Sequence, residues 1–302
     1  MGLNIGLVGH GRWGRRHLET LIQLKGEGKI SHISVCDIDA NQLRTLPPEV
    51  DATFTEIADL LAHKTIDCIA IVTPPNTHLE LTSQAMKYNL PVFVEKPLSD
   101  QLGKEADFLT SINPDKTLVT GFLLRHHNGI KAMKELLDDN VIGSLQELHY
   151  YRTTKRNRPE GAEAMGTLAV HGFDLSVFFE MKEMVELEPH EFINQPIEMR
   201  LDTRGPRQKR LLIDVSWNSQ QEQRKITLIG KSGELSLTFG PSPKLTHKTA
   251  YDVETITFSN DNSPLYCEWD FFLNAVLSSE ATVYPSTNEL LLLNQWVSFL
   301  TR

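Results

Sequence analysis

The sequence predicts an α/β protein in two halves: a doubly wound parallel sheet over residues 1–120, then an α+β domain over 121–302 with a large, open, mainly antiparallel sheet. Three observations predict it. Over the first 120 residues, short apolar runs alternate with segments of helical period, the pattern of a parallel sheet covered by helices on both faces. Past residue 121 strands mostly follow strands, the pattern of an antiparallel sheet. The length of 302 residues suits two domains of ~100–200 residues, and an apolar content of 40% suffices for two cores.

The elements follow in order. LNIGLVG is a short apolar strand, and Trp13, Leu18, Leu21 and Leu24 mark a helix behind it. ISHISVCD is a second strand, and TEIADLLAH a short helix opened by Thr55. IDCIAIVT is an apolar run of the kind buried on both faces. Asn76 is placed to cap the helix NTHLELTSQAMKY. PVFVEKP, SDQLGKEADFLTSI and TLVTGF read as strand, helix and strand. In the second half GIKAMKELLDDN is a helix ending at Asn140, SLQELHYYRTT a long strand, and LAVHGFDLSVFFEM a helix. RLLIDVSW, QRKITLIG and ELSLTF are strands, the last two joined by a KSG turn. Ser263-Pro264 starts a helix with an apolar stripe of Leu265, Trp269, Phe272, Leu273 and Val276, and NELLLLNQWVSFL is the final helix.

Charge and cysteine content exclude several classes of function. A net charge of −9 gives nucleic-acid binding no electrostatic support. Of two basic stretches, TRGPRQKR reads as a solvated face, while YRTTKRNR reads equally as a solvated face or an anion contact. Cys36, Cys68 and Cys267 form neither a disulfide framework nor a metal motif, which suits a reducing cytoplasm. Neither a signal peptide nor an apolar run of ~20 residues is evident, so no membrane association is expected.

The chemistry concentrates in GLVGHGRWGRRH. Gly9-His10-Gly11-Arg12-Trp13-Gly14 follows a strand and opens a helix, the setting in which GxGxxG binds a dinucleotide. Gly9 permits the tight turn, Gly11 lets the backbone approach a pyrophosphate, and Gly14 packs helix on strand. Arg12 lies in the loop and is placed to touch phosphate, whereas Arg15 and Arg16 oppose the helix dipole. Asp37 ends the second strand, where a carboxylate binds a ribose 2′-hydroxyl and repels a 2′-phosphate. The expected cofactor is therefore NAD, with NADP less favoured, on a Rossmann domain spanning residues 1–120. Thr73, Pro74, Pro75, Asn76 and His78 follow the fourth strand and Glu95-Lys96-Pro97 the fifth, at the strand ends where ligands of such sheets bind.

These stretches carry a resemblance. The glycine loop, TPPNTH, VFVEKPL and GFLLRHHN resemble the Gfo/Idh/MocA family of NAD(P)-dependent oxidoreductases, and the likeness runs nearly end to end through LAVHGFDL and VSWNSQQEQRKITLIGKSGELSL. The GxWG loop and the SW…RKITL stretch are similar to the branch that oxidises the 3-hydroxyl of nucleotide sugars. The resemblance implies hydride transfer between NAD and a secondary alcohol of a sugar, cyclitol or nucleotide sugar. It also implies a homodimer or homotetramer formed through the second sheet. It assigns Lys96 to the reacting oxygen and His171 to the general base, alongside a cofactor-side role for Glu95. It places Arg125 near cofactor and substrate, and Asp174 either orienting its helix or binding a substrate hydroxyl. His126 departs from the family's pattern and is a candidate substrate contact, as are Lys155 and Arg156, which follow the long strand and are placed to receive a phosphate or carboxylate. A zinc site at His126-His127 lacks further ligands of diagnostic spacing, and no metal is expected.

One position departs from the family. Where an aspartate usually stands four residues before the histidine, this chain has Thr167, with Ala169 in place of a glycine. A hydroxyl can bind a substrate but cannot accept a proton at neutral pH. Two readings stay open: an enzyme in which Lys96 and His171 suffice or Asp174 or Glu163 compensates, and a non-catalytic dinucleotide-binding sensor or partner protein of the same fold.

Overall fold

The computed structural model describes residues 2–63, 66–100, 104–113, 115–181, 188–205, 209–278 and 280–300. The chain packs as two compact units: residues up to Leu123 joined by Leu265 onward, and Leu124–Pro264.

The first unit runs β1 (Leu3–Val8), α1 (Arg12–Gly26), β2 (Ile30–Cys36), β3 (Ala52–Phe54), α2 (Ile57–Ala62), β4 (Cys68–Ile71), α3 (His78–Lys87), β5 (Val92–Glu95), α4 (Lys104–Ser111) and β6 (Leu118–Gly121). β4, β5 and β6 are buried along their whole length, as continuous apolar runs require in a sheet covered on both faces. β1 lies between β2 and β4, so the strand order reverses beside it, at the switch point where such sheets bind ligands. Two expected caps do not form. α2 starts without a side-chain cap, leaving Thr55 outside it. A 3₁₀ turn at Pro75–Thr77 displaces the start of α3 past Asn76, and the Thr77 hydroxyl bonds the Pro74 carbonyl instead.

The second unit holds α5 (Asn128–Asp138), β7 (Leu145–Thr153), α6 (Val170–Phe178), β8 (Glu188–Gln195), β9 (Glu198–Arg204), β10 (Arg210–Ser216), β11 (Gln223–Gly230), β12 (Glu234–Thr238), β13 (Lys244–Lys248) and β14 (Val253–Ile256). The sheet order is β14-β13-β12-β11-β7-β10-β9-β8, antiparallel except for the parallel pair β7–β10. β8, β9, β13 and β14 escape the sequence reading. α5 and α6 cover one face: a Cβ on Gly129 would lie 2.8 Å from Leu237, and one on Gly172 2.7 Å from Tyr150. Leu148, Tyr150, Ile226 and Leu228 point to that face, and Glu147, His149 and Tyr151 alternate to the other.

The chain then returns to the first unit with α7 (Pro264–Leu277), β15 (Val283–Tyr284) and α8 (Thr287–Leu300). This corrects the expected second domain of 121–302, which ends at Pro264. β15 pairs with β6 as the outermost parallel strand of the first sheet. Leu265, Trp269, Phe272 and Leu273 join Ile5, Leu7, Leu21 and Phe93 in one core, with Trp269 stacked on Phe93 at 5.2 Å. Among the described residues no helix is long and apolar enough to cross a membrane.

Candidate functional site

In the first unit the loop between β1 and α1 is shaped by two of its three glycines. Gly9 has φ +95°, and a Cβ there would lie 2.5 Å from the Val72 carbonyl oxygen. A Cβ on Gly14 would lie 2.1 Å from the Gly9 carbonyl oxygen, so α1 starts flush against the loop. Gly11, at the N-cap, has nothing within 4 Å of that position. The open space faces the first N–H groups of a 15-residue helix whose first turn carries no acidic side chain. This arrangement fits a dinucleotide pyrophosphate.

Asp37 fastens the loop to the end of β2. Its Oδ2 accepts from the His10 N–H at 2.6 Å and its Oδ1 from the Asp39 N–H at 2.9 Å. Each carboxylate oxygen keeps a lone pair for a ribose hydroxyl. The His10 ring lies 2.9 Å from the Gln42 carbonyl oxygen through Nδ1. Arg12, Arg15, Arg16, Gly11, Glu19 and Gln42 line a cleft of ≈ 410 Å³. Arg15 donates to the Gln42 side chain at 2.8 Å, while Arg16 pairs with Glu19 on the helix surface at 2.9 Å. Arg16 thus belongs to a solvated ion pair.

Lys96 sits at the end of β5 on a buried hydrogen-bonded chain. Trp269 Nε1 donates to His17 Nδ1 at 3.1 Å. The indole only donates, so the His17 proton lies on Nε2, which donates to Glu95 Oε1 at 3.0 Å. Trp13 Nε1 donates to the same oxygen at 2.6 Å, and the Lys96 backbone N–H to Glu95 Oε2 at 3.0 Å. Burial pushes the Glu95 carboxyl up, but the His17 and Trp13 hydrogen bonds and the Lys96 charge hold it below its ordinary value. Burial lowers the Lys96 ammonium, with the Glu95 carboxylate opposing. Trp13 was expected at the cofactor; its N–H is committed to Glu95. His17 and Trp269 carry no motif signal, being 252 residues apart in sequence.

The turn after β4 is rigid. Thr73 and Thr77 hydroxyls meet at 2.7 Å, and the His78 ring spans from the Thr73 carbonyl oxygen, at 2.8 Å, to the Pro97 carbonyl oxygen, at 2.7 Å. His78 is therefore buried as a brace between this turn and the Lys96-Pro97 segment, while Pro75 and Asn76 form the 3₁₀ turn.

In the second unit Arg125 and Asp174 are buried against each other, Nε to Oδ1 at 2.7 Å, with the guanidinium over the Phe178 ring at 5.2 Å. Both were expected at the substrate; they are committed to each other. His126 is also buried, and burial with the charges of Lys131 and Arg125 drives its imidazole down to about 3. His127 Nδ1 accepts from the Gly129 N–H at the start of α5, and its ring packs on Phe239. Thr167 lies in a π-helical turn, Met165–Ala169, that runs into α6 and His171. Its hydroxyl donates to the Glu163 carbonyl oxygen and accepts from Trp217 Nε1 at 3.3 Å. Thr167 therefore locks the π turn, and half-buried His171 follows on the first turn of α6. Lys155 and Arg156 are exposed just past β7. Among the described residues no three His, Cys, Asp or Glu side chains are grouped to hold a metal ion.

A family profile, Gfo/Idh/MocA, described as an oxidoreductase family with NAD-binding Rossmann fold, matches residues 3–119. The chain is 26% identical over 197 residues to the myo-inositol 2-dehydrogenase of Thermotoga maritima, covering 61% of this chain and 57% of that protein. It is 23% identical over 305 residues to the inositol 2-dehydrogenase/D-chiro-inositol 3-dehydrogenase of Lacticaseibacillus casei, covering 95% and 88%. Most of the curated relatives it matches are spanned over only about half their length, 48% and 52% in two further inositol 2-dehydrogenases. In fold it is similar to KijD10, a 3-ketoreductase from Actinomadura kijaniata crystallised with TDP-benzene and NADP, with a TM-score of 0.80, 16% identity and coverage of 97% and 95%.

Proposed function

We propose, from the match of residues 3–119 to the Gfo/Idh/MocA oxidoreductase family, that the protein is an NAD-dependent dehydrogenase acting on a secondary alcohol of a sugar, cyclitol or nucleotide sugar. The observation that carries the reading is the Trp269–His17–Glu95 chain ending on the backbone of Lys96. It fixes the one lysine of the EKP stretch at a strand end of the Rossmann sheet.

Gly9, Gly11, Gly14 and Asp37 would hold the cofactor, which would supply the hydride-accepting nicotinamide. Lys96 donates a hydrogen bond to the reacting oxygen. Its lowered ammonium sheds and regains a proton more readily than a surface lysine. Glu95, held ionised, keeps the Lys96 backbone in place and offsets its charge. His171 takes the hydroxyl proton as general base. NAD is favoured over NADP because the Asp37 carboxylate repels a 2′-phosphate. The sheet face bearing Glu147, His149 and Tyr151, opposite the helices, is the surface through which a homodimer or homotetramer forms.

The test is a titration of the purified protein with NAD, followed by a screen of inositols, aldoses and nucleotide sugars for reduced-nicotinamide absorbance. Turnover is expected, and Lys96→Ala lowers kcat by about 10²-fold or more with NAD affinity unchanged. Tight NAD binding without turnover across the screen, and with no effect of Lys96→Ala on any ligand, selects the non-catalytic reading instead.

A further inference from the structure

β7 and β11 lie side by side with Arg152 directly opposite Arg224. Tyr150, two residues before Arg152, is buried beside Gly172 of α6, and Ile226, two residues after Arg224, is wholly buried. Side chains two apart share a face, so both arginines lie on the helix-covered side of the sheet, at the end where β7 finishes. Like charges directly opposite destabilise a strand pair. A single carboxylate serves both: Glu222 Oε1 is 3.2 Å from Arg152 Nη1 and 3.6 Å from Arg224 Nε. The other oxygen of Glu222 accepts from the Lys155 N–H at 3.1 Å.

Arg224 Nε is shut off from solvent, and Glu222, at 3.6 Å, is too far to accept a hydrogen bond from it. Arg224 lines a cleft of ≈ 430 Å³ together with Glu222, Lys225 and Phe239. Burial and the facing Arg224 both work against the Arg152 charge; burial and Arg156 work against that of Arg224, with Glu222 opposing. The cluster is also tied to the π turn. The Arg156 carbonyl oxygen accepts from the Asn218 N–H at 3.0 Å, and the adjacent Trp217 donates to Thr167, four residues before His171. Opposed arginines sharing one carboxylate at the edge of an open cleft are a poor way to stabilise a sheet. They suit an oxyanion that accepts several charge-assisted hydrogen bonds at once.

We propose that Arg152 and Arg224 form an oxyanion subsite, so that the substrate is a sugar derivative bearing a carboxylate or phosphate rather than a neutral polyol. Calling the ligand a substrate rests on the dehydrogenase reading; the existence of the subsite does not.

The test is calorimetric titration of the full chain with glucose, glucuronate, glucose 6-phosphate, UDP-glucose and inorganic phosphate, with and without NAD. At least one anionic sugar is expected to bind about tenfold or more tightly than glucose, the difference expected of one charge-assisted hydrogen bond. A gain confined to glucuronate identifies a carboxylate, and a gain confined to the phosphate esters identifies a phosphate. Arg224→Gln removes the preference. Glu222→Gln strengthens it severalfold, a change of sign that mere loss of folding cannot produce. The proposal is overturned if anionic sugars bind no better than glucose, or if Arg224→Gln leaves their preference intact. Inorganic phosphate binding without any gain for an anionic sugar marks an adventitious ion only and overturns it too. Failure of NAD to bind counts against the dehydrogenase reading alone, because the anion preference is read in the absence of NAD as well.

Discussion

A methyl group on Gly11 meets no protein atom within 4 Å, and its φ of −68° is open to any residue. Nothing in the fold demands glycine there. Gly9 and Gly14 differ, because a Cβ on either collides with backbone. The three glycines, equivalent in the motif, therefore divide into two that shape the loop and one that leaves room for a ligand. Gly11→Ala is expected to keep the melting temperature within about 2 °C, as a strain-free surface change does. It should weaken NAD binding by about tenfold or more, measured by fluorescence titration. Gly14→Ala should instead cost about 1–3 kcal/mol or more of stability. If Gly11→Ala binds NAD normally, the space is not where the pyrophosphate sits. The motif made the loop and Asp37 legible from sequence alone. The chain through His17 and Trp269 was not legible, because its members meet only once α7 has packed onto the sheet. Arg125 and Asp174 differ again: the resemblance suggested a substrate contact for each, and their buried ion pair with one another is visible only in the fold.

Elements were legible where they bury at least one whole face, as β4, β5 and β6 do on both. β8 is exposed or half-exposed at every position, so EPHEFINQ carries no alternation to read. β14 is the same, and β13 buries only Leu245 and His247. These strands are held by ladder hydrogen bonds to the next strand of a hairpin, a term that hydrophobic periodicity does not record. The stripe on α7 was legible as buried, but a stripe does not say against what. α4 and α8 also meet by a contact no pattern announces. Glu105 accepts from the Ser99 N–H at 2.7 Å and from Asn294 Nδ2 at 2.6 Å. Burial outweighs both bonds and raises its carboxyl from 4.5 to about 7. Between these values the folded state holds a proton that the unfolded chain has released, so stability falls as pH rises from about 4.5 to 7 and then levels off. The loss is on the order of 3 kcal/mol at most. Thermal melts of the wild type and Glu105→Gln at pH 5 and pH 8 check it: the mutant should lose less stability over that interval, by several degrees. Parallel curves would show that Glu105 titrates normally.

At the scale of the whole molecule, the first unit is discontinuous in sequence, and this decides how the chain can be cut. A boundary at 120 looks natural, since the glycine loop, all the parallel strands seen in the sequence and the matched stretch 3–119 precede it. The core contradicts that boundary. Trp269 and Phe272 are fully buried among Phe93 and the β1 side chains, and Trp269 fixes the tautomer of His17. β15 covers the edge of β6, which otherwise presents unpaired backbone to solvent. Burying Trp269, Phe272 and Leu273 stabilises by ~1.5–3 kcal/mol each, together on the order of 5–9 kcal/mol. That is most of the ~5–15 kcal/mol that separates a folded domain from its unfolded chain. Residues 1–123 alone should therefore lack a cooperative melt and bind no NAD. The same residues joined to 265–302 by a Gly/Ser linker should melt cooperatively and bind NAD with an affinity within about threefold of the full chain, since the described residues of this core all come from the first unit. Circular dichroism melts and NAD titration of the two fragments read the difference. A cooperative, NAD-binding 1–123 fragment would mean that α7 and β15 decorate the Rossmann unit rather than complete it, and that the Trp269–His17–Glu95 chain is dispensable for holding the end of β5.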